Sequence, residues 1–279
     1  MAGDEELMKG KLTRIVLGVL AGIVLVVMIA VIAAAVNLAM QPIKPNVAPD
    51  PHFNLVVQDA PKPEVWDITV AMKRIACEQT ARFVMENMAT TPSFPDKFAL
   101  LNRSLEAIDA SADGLYCEFG VFEGKTINHI ASRTSHTIHG FDSFEGLPEN
   151  WRTGYLKGTF KLDGLPEVAK NVELYKGWFN ESLPGWAADH PGPMAFMHLD
   201  ADLYSSTKTV FEILADRVVP GTVIQFDEYF NYPGWQEGEY RAFKEFVESR
   251  AIQFEYIGYC NTNEQVAVRI ESVGAPGEK

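Results

Sequence analysis

Residues 115–126 read Leu115-Tyr116-Cys117-Glu118-Phe119-Gly120-Val121-Phe122-Glu123-Gly124-Lys125-Thr126. A short apolar run enters a glycine-punctuated turn and leaves it as a helix, the pattern of one parallel βα unit. Glycines at 120 and 124 let the backbone pass close to a ligand, and the helix that follows offers unpaired N–H groups at its start. The rhythm recurs downstream. Apolar runs at 137–141, 172–176, 195–199 and 222–226 each end in an acidic or glycine-rich turn and precede a helix-compatible stretch. Two further strands, 254–259 and 265–270, are joined by Cys260-Asn261-Thr262-Asn263-Glu264, which has the length and composition of a hairpin connection. The expected fold is α/β: a Rossmann-like, mostly parallel sheet with an antiparallel strand pair at its end.

Upstream, two helices are expected within 65–110. The first, over 65–88, places Val65, Ile68, Met72, Ile75, Ala76, Phe83 and Met88 near helical spacing, and the second, over 96–108, starts near Asp96. Residues 41–63 hold six prolines and read as a linker. Residues 15–40 run 26 positions without a charge, and a helix of that length, about 39 Å, crosses a hydrocarbon layer of about 30 Å with some tilt. The expected organisation is therefore a cytosolic tail at 1–14, a single transmembrane helix at 15–40, the linker at 41–63 and one large domain at 64–279. Lys9, Lys11 and Arg14 precede the span and Lys44 alone follows closely, which keeps the N-terminus in the cytosol and sends the domain outward. On that side, Asn102-Arg-Ser104 and Asn180-Glu-Ser182 would be glycosylation acceptors in a eukaryotic lumen.

The net charge of −13 argues against nucleic acid as the main partner and against charge-driven docking on anionic lipid. Cys77, Cys117 and Cys260 are too few and too scattered for a disulfide framework or a four-ligand zinc site. A homo-oligomer is left open.

Chemistry concentrates at the strand ends. Asp142 lies 22 residues after Gly120 and ends the next strand, where an acid commonly accepts from ribose hydroxyls. The turn lacks Gly-x-Gly-x-x-Gly, and Glu118 would repel a pyrophosphate, which disfavours NAD. An acid before the first glycine suits a nucleoside that carries an ammonium group, as S-adenosylmethionine does. Asp200 and Asp202 follow the fourth run, and Asp227 and Glu228 follow the fifth. Neighbouring parallel strands discharge into one crevice, so four carboxylates converge, and hard oxygen donors of this kind suit Mg²⁺, Ca²⁺ or Mn²⁺.

Together these motifs resemble the class I S-adenosylmethionine-dependent methyltransferases, and more narrowly the macrocin O-methyltransferase family. The resemblance covers about 118–270. It is carried by Glu118-Phe-Gly-Val-Phe-Glu-Gly124, Gly140-Phe-Asp-Ser-Phe-Glu-Gly-Leu-Pro148, Leu199-Asp-Ala-Asp-Leu-Tyr204 and Gly221-Thr-Val-Ile-Gln-Phe-Asp-Glu228. It implies methylation of hydroxyls, often on sugars. It also implies that Glu118, Gly120 and Asp142 hold the cofactor and that Asp200, Asp227 and Glu228 hold a divalent cation, Mg²⁺ by preference. The last pair is often Asp-Asp or Asp-Asn, and here it is Asp227-Glu228. From position, Gly124 joins the cofactor turn and Trp178, after the third run, flanks the adenine with Phe179 beside it. Asp200 and Asp202 form the catalytic pair, with Asp202 the candidate base and His139 and His198 its rivals. Trp151, Tyr155, Phe160, Tyr232 and Trp235 are expected on the rim, where flat rings stack on a sugar face. Two rival readings stand beside this one. Asp200-Ala201-Asp202 is also an Asp-x-Asp motif of a metal-dependent glycosyltransferase, and a non-catalytic domain could bind a nucleoside or scaffold a membrane complex.

Overall fold

The computed structural model describes residues 67–109 and 113–274. The expected tail, transmembrane helix and linker lie outside the described residues. Among the described residues, no helix is long and apolar enough to cross a membrane.

Eight strands form one sheet. In chain order the elements are α1 (Ile68–Asn87), β1 (Ser93–Phe94), α2 (Lys97–Glu106), β2 (Leu115–Phe119), α3 (Lys125–Ala131), β3 (Ile138–Asp142) and β4 (Val172–Lys176). They continue as α4 (Phe179–Asp189), β5 (Met194–Leu199), α5 (Tyr204–Leu214), β6 (Val223–Phe226), α6 (Glu239–Ser249), β7 (Gln253–Cys260) and β8 (Val266–Ser272). The strand order is β1-β7-β8-β6-β5-β2-β3-β4. From β4 to β6 every pairing is parallel, and β8 runs antiparallel to both β6 and β7. The Rossmann-like sheet with its antiparallel pair is the one expected, with one addition: β1 pairs parallel with β7 and covers the edge the hairpin would otherwise expose.

The central strands read as continuous apolar runs because both faces are covered. All six residues of β5 and all four of β6 are buried. One core layer holds Phe119, Phe141, Met197, Leu199 and Phe226. The other packs Ile138, Phe196, Val223 and Ala267 against Leu100, Leu101, Ile127 and Ile130 of α2 and α3. Asp96 caps α2 by accepting from the Phe98 and Ala99 amides at 2.9 Å each, which fixes where that helix begins.

Helix α1 meets the amphipathic expectation only in part: Ala76 and, just past its end, Met88 are buried. Ile68, Val70, Met72, Ile75 and Met85 face outward, and within the helix only Ala76 and Thr80 are buried. Its attachment comes instead through Phe83, which meets Trp235, Tyr240 and Tyr256 edge-on.

Candidate active site

The C-terminal ends of β2, β3, β4, β5 and β6 open into one cavity of about 810 Å³, within the range of small-molecule sites. Gly120, Asp142, Trp178, Asp200, Asp202, Asp227 and Glu228 all line it, as do Trp151, Tyr155 and Phe160 from the loop after β3.

The turn after β2 takes its shape from a glycine and an acid. Gly120 has φ +95°, and a Cβ there would overlap the backbone carbonyl of Asp200. Asp142 Oδ2 accepts from the Val121 and Phe122 amides at 2.9 and 2.8 Å, and its Oδ1 accepts from the Phe144 amide at 2.7 Å. The acid assigned to ribose thus also braces the turn it faces, and Oδ1 keeps acceptor capacity on a group that lines the cavity. Gly124, at φ +78°, begins α3 and donates to the Val121 carbonyl at 2.8 Å. It turns the chain and does not itself line the cavity. Asp142→Ala leaves three amides without their acceptor, at about 1–3 kcal/mol for each one buried. Denaturant unfolding should therefore show a loss of several kcal/mol, and a loss below about 1 kcal/mol would contradict the bracing role.

Glu118 does not line the cavity. It is fully buried beneath the turn, where the Thr126 hydroxyl donates to Oε1 at 2.8 Å and His198 Nδ1 lies 3.2 Å from Oε2. Strand alternation explains this. Glu118 shares the α2 and α3 face of the sheet with its register partners His198 and, beyond it, Gln225. His198 Nε2 lies 3.8 Å from Asp227 Oδ1, a contact of an ion pair rather than of an aligned hydrogen bond. Burial alone would lower His198, but Asp227 and Glu118 outweigh it and raise the imidazole to about 10. Two carboxylates at 3.2 and 3.8 Å favour the protonated ring, a form that has no lone pair to act as a base. ¹⁵N-resolved NMR of the imidazole should show it charged from pH 5 to 9, and a midpoint near 6.5 would overturn the assignment. His139 sits on β3 with its Nδ1 3.2 Å from the Tyr175 hydroxyl and its ring packed edge-on against Trp186, as a core histidine.

The acids converge as expected, but not equivalently. One ligand atom from each of Asp200, Asp202 and Glu228 lies within 4.8 Å of the others, and Asp200 and Asp227 form a similar group with His198. Burial and the neighbouring Asp227 push Asp200 and Glu228 well above the ordinary carboxylate range. Burial, Glu239 and Asp227 push Asp202 up to about 8. Burial would raise Asp227 too, yet His198 and Lys97 hold it down at about 2. Glu228 Oε2 is buried with no hydrogen-bond partner among the described residues. The orphaned oxygen stands with Asp200 and Asp202, and Asp227 stands with Asp200 and His198, so the expected three, Asp200, Asp227 and Glu228, share Asp200 between two groups, and hard oxygen donors of this kind fit a divalent cation.

Three side chains at the site had no signal in the sequence reading. Glu239, at the start of α6, is fully buried and ties the two acid-bearing loops together. It accepts from the Ala201 amide at 3.3 Å, the Thr207 hydroxyl at 3.2 Å and the Glu228 amide at 3.1 Å. Lys97 of α2 donates to both oxygens of Asp227. Arg152 lies over the Trp151 ring at 3.9 Å and pairs with both oxygens of Glu264 at 3.0 and 2.8 Å.

The aromatic expectations divide. Trp151, Tyr155 and Phe160 face the cavity, and Trp178 with Phe179 enters it from the start of α4. Tyr232 and Trp235 are core residues, 5% and 3% exposed, with Trp235 packed against Phe83 and Tyr240. Neither expected glycosylation site is an exposed loop. Asn102 lies in α2 bonded to His129 at 2.9 Å, and Asn180 lies in α4 and lines the cavity.

A parallel sheet with one reversed strand, a glycine turn after its first central strand and acids at the ends of the next strands define a Rossmann-like α/β domain with a carboxylate-lined cavity at its strand ends. Residues 155–258 match the family model described as Macrocin-O-methyltransferase (TylF), a stretch that contains Trp178, Asp200, Asp202, Asp227 and Glu228. The resemblance carried by the sequence motifs is thus found independently over that stretch. Among curated relatives, 8-demethyl-8-(2,3-dimethoxy-alpha-L-rhamnosyl)-tetracenomycin-C 4'-O-methyltransferase of Streptomyces olivaceus is 30% identical over 147 residues, 42% of this chain and 55% of that protein. Demethyldecarbamoylnovobiocin O-methyltransferase of Streptomyces niveus is 26% identical over 164 residues, 49% of this chain and 62% of that protein. The chain therefore spans somewhat over half the length of the curated relatives it matches. The crystal structure of CalS11, a calicheamicin methyltransferase, aligns with a TM-score of 0.48 at 19% identity, covering 80% of this chain and 94% of that one.

Proposed function

We propose that this chain is an S-adenosylmethionine-dependent O-methyltransferase whose acceptor is a hydroxyl of a sugar or similar polyol. The observation that carries the reading is the single cavity joining the Gly120 turn, Asp142 and Trp178 on one side to Asp200 and Asp202 on the other. The first two relatives bear names of O-methyltransferases, and the first of these names contains a rhamnosyl group. Trp151, Tyr155 and Phe160 supply the flat rings that suit a sugar face.

S-adenosylmethionine, when bound, supplies an electrophilic methyl on a sulfonium. The residues of this chain align and deprotonate. The braced turn and Asp142 would hold the nucleoside, Trp178 and Phe179 would flank its base, and Asp202 would take the proton of the acceptor hydroxyl. Asp200, Asp227 and Glu228 would hold a divalent cation, which lowers the pKa of a bound hydroxyl. Incubation with trideuteromethyl-labelled cofactor and a panel of glycosylated acceptors tests the reading. Label on a carbohydrate oxygen, reduced by chelator, is the expected result, and label only on amines or protein side chains would contradict it.

The 15–40 segment remains in this reading as a single-pass membrane anchor with a cytosolic N-terminus, supported by its length and freedom from charge. The full chain should then sediment with membranes and resist carbonate extraction. Release by carbonate would contradict the anchor.

A further inference from the structure

Lys97 belongs to none of the motifs that define the site, and it reaches the site from a helix that precedes the parallel part of the sheet. Its Nζ donates to Asp227 Oδ1 at 3.3 Å and Oδ2 at 3.1 Å, and stands 3.9 Å from Asp200 Oδ2. Its side chain is 31% exposed and that of Asp227 only 7%, so solvent screens the pair weakly. Asp96 pins the start of α2, which sets the root of the lysine stem beside the acids.

These are two of the three carboxylates the proposed function assigns to a divalent ion. Oxygen ligands of such an ion sit at about 2.0–2.6 Å from it, so an ion held by Asp227 and Asp200 would stand close to an ammonium that already faces both carboxylates, and the two cations repel each other. The four acids Asp200, Asp202, Asp227 and Glu228 repel one another at one end of the sheet, and a chain-borne cation relieves part of that repulsion when no ion is bound. Lysine suits the task, being a compact charge on a flexible four-carbon stem that can swing clear.

We infer that Lys97 is an internal cation that competes with a divalent ion for Asp227 and Asp200, so that ion binding displaces its ammonium into the cavity. The inference rests on the metal-assisted reading above and predicts how the site exchanges one cation for another.

Two measurements test it on the full chain. In calorimetric titration with Mn²⁺, Lys97→Met should bind at least about tenfold more tightly than wild type, because the competitor is gone. Through-space charge alone would also favour the ion in that variant, so a second measurement separates displacement from charge. In wild type, brief acetylation by acetic anhydride with mass-spectrometric readout should find Lys97 sluggish without ion and several-fold more reactive with saturating Mn²⁺. Lys157, on the cavity rim, serves as the internal control and should not change. The acetylation arm also stands if Lys97→Met folds poorly. Equal Mn²⁺ affinity in the two proteins, or Lys97 acetylation indifferent to the ion, overturns the competition and leaves the divalent site intact. No Mn²⁺ binding by either protein overturns both.

Discussion

Gly120→Ala should abolish binding of S-adenosylhomocysteine and lower the stability of the domain by about 3 kcal/mol or more. Two costs add. A φ of +95° is a conformation L-residues avoid, at about 1–3 kcal/mol, and the new methyl would overlap the Asp200 carbonyl, where overpacking costs about 1–3 kcal/mol more. Neither neighbour can yield cheaply. Gly120 N donates to the Phe141 carbonyl at 2.9 Å and Asp200 N donates to the Phe119 carbonyl at 2.9 Å, so moving either strand end breaks the ladder that sets the acids. Chemical denaturation and calorimetry read the two effects separately. A variant with the wild-type denaturation midpoint would show that the turn is looser than the packing implies.

Asp202→Asn should cut turnover by about 10²–10⁴-fold, the usual worth of a positioned base, while leaving stability unchanged or raised. The opposite signs arise from one geometry. Asp202 is held at φ +62° among other acids, and burial, Glu239 and Asp227 raise its carboxyl to about 8. Amidation removes the cost of neutralising a carboxyl that is ionised when unfolded, and it removes the basic oxygen that accepts the hydroxyl proton. A base raised in this way works only when deprotonated. Without added cation, kcat/KM should rise with pH toward a plateau above about 8, and the rise should be missing in the variant. Turnover of Asp202→Asn within about fivefold of wild type would remove Asp202 from the role.

The parallel strands were legible because a strand buried on both faces must be written almost entirely in apolar residues, as β5 and β6 are. β1 was not legible: it is two residues long, between Pro92 and Pro95, and exists only because β7 offers it an edge. Asp142, Asp200, Asp202, Asp227 and Glu228 could be placed because topology sends every parallel strand end to one side. The role of Glu118 could not be placed by its distance from Gly120 alone, since the face a strand residue occupies decides what it meets. The signal was present in another form: Glu118, His198 and Gln225 interrupt three neighbouring apolar strands, and the register lines them up as one buried polar row. Lys97 and Glu239 left no pattern, because their partners are far away in sequence and come near only through packing. The outward apolar face of α1 shows the reverse failure, where helical spacing was present without burial.

The cavity beside Gly120 and Asp142 should hold S-adenosylmethionine rather than a nucleotide sugar. Isothermal titration of the purified chain with S-adenosylhomocysteine, and separately with UDP-glucose in the presence of Mn²⁺, tests it most directly. The account predicts saturable binding of S-adenosylhomocysteine with one site per chain, lost in Gly120→Ala, and no binding of UDP-glucose. Binding of UDP-glucose with none of S-adenosylhomocysteine would contradict it and give the Asp200-Ala201-Asp202 motif to a glycosyltransferase.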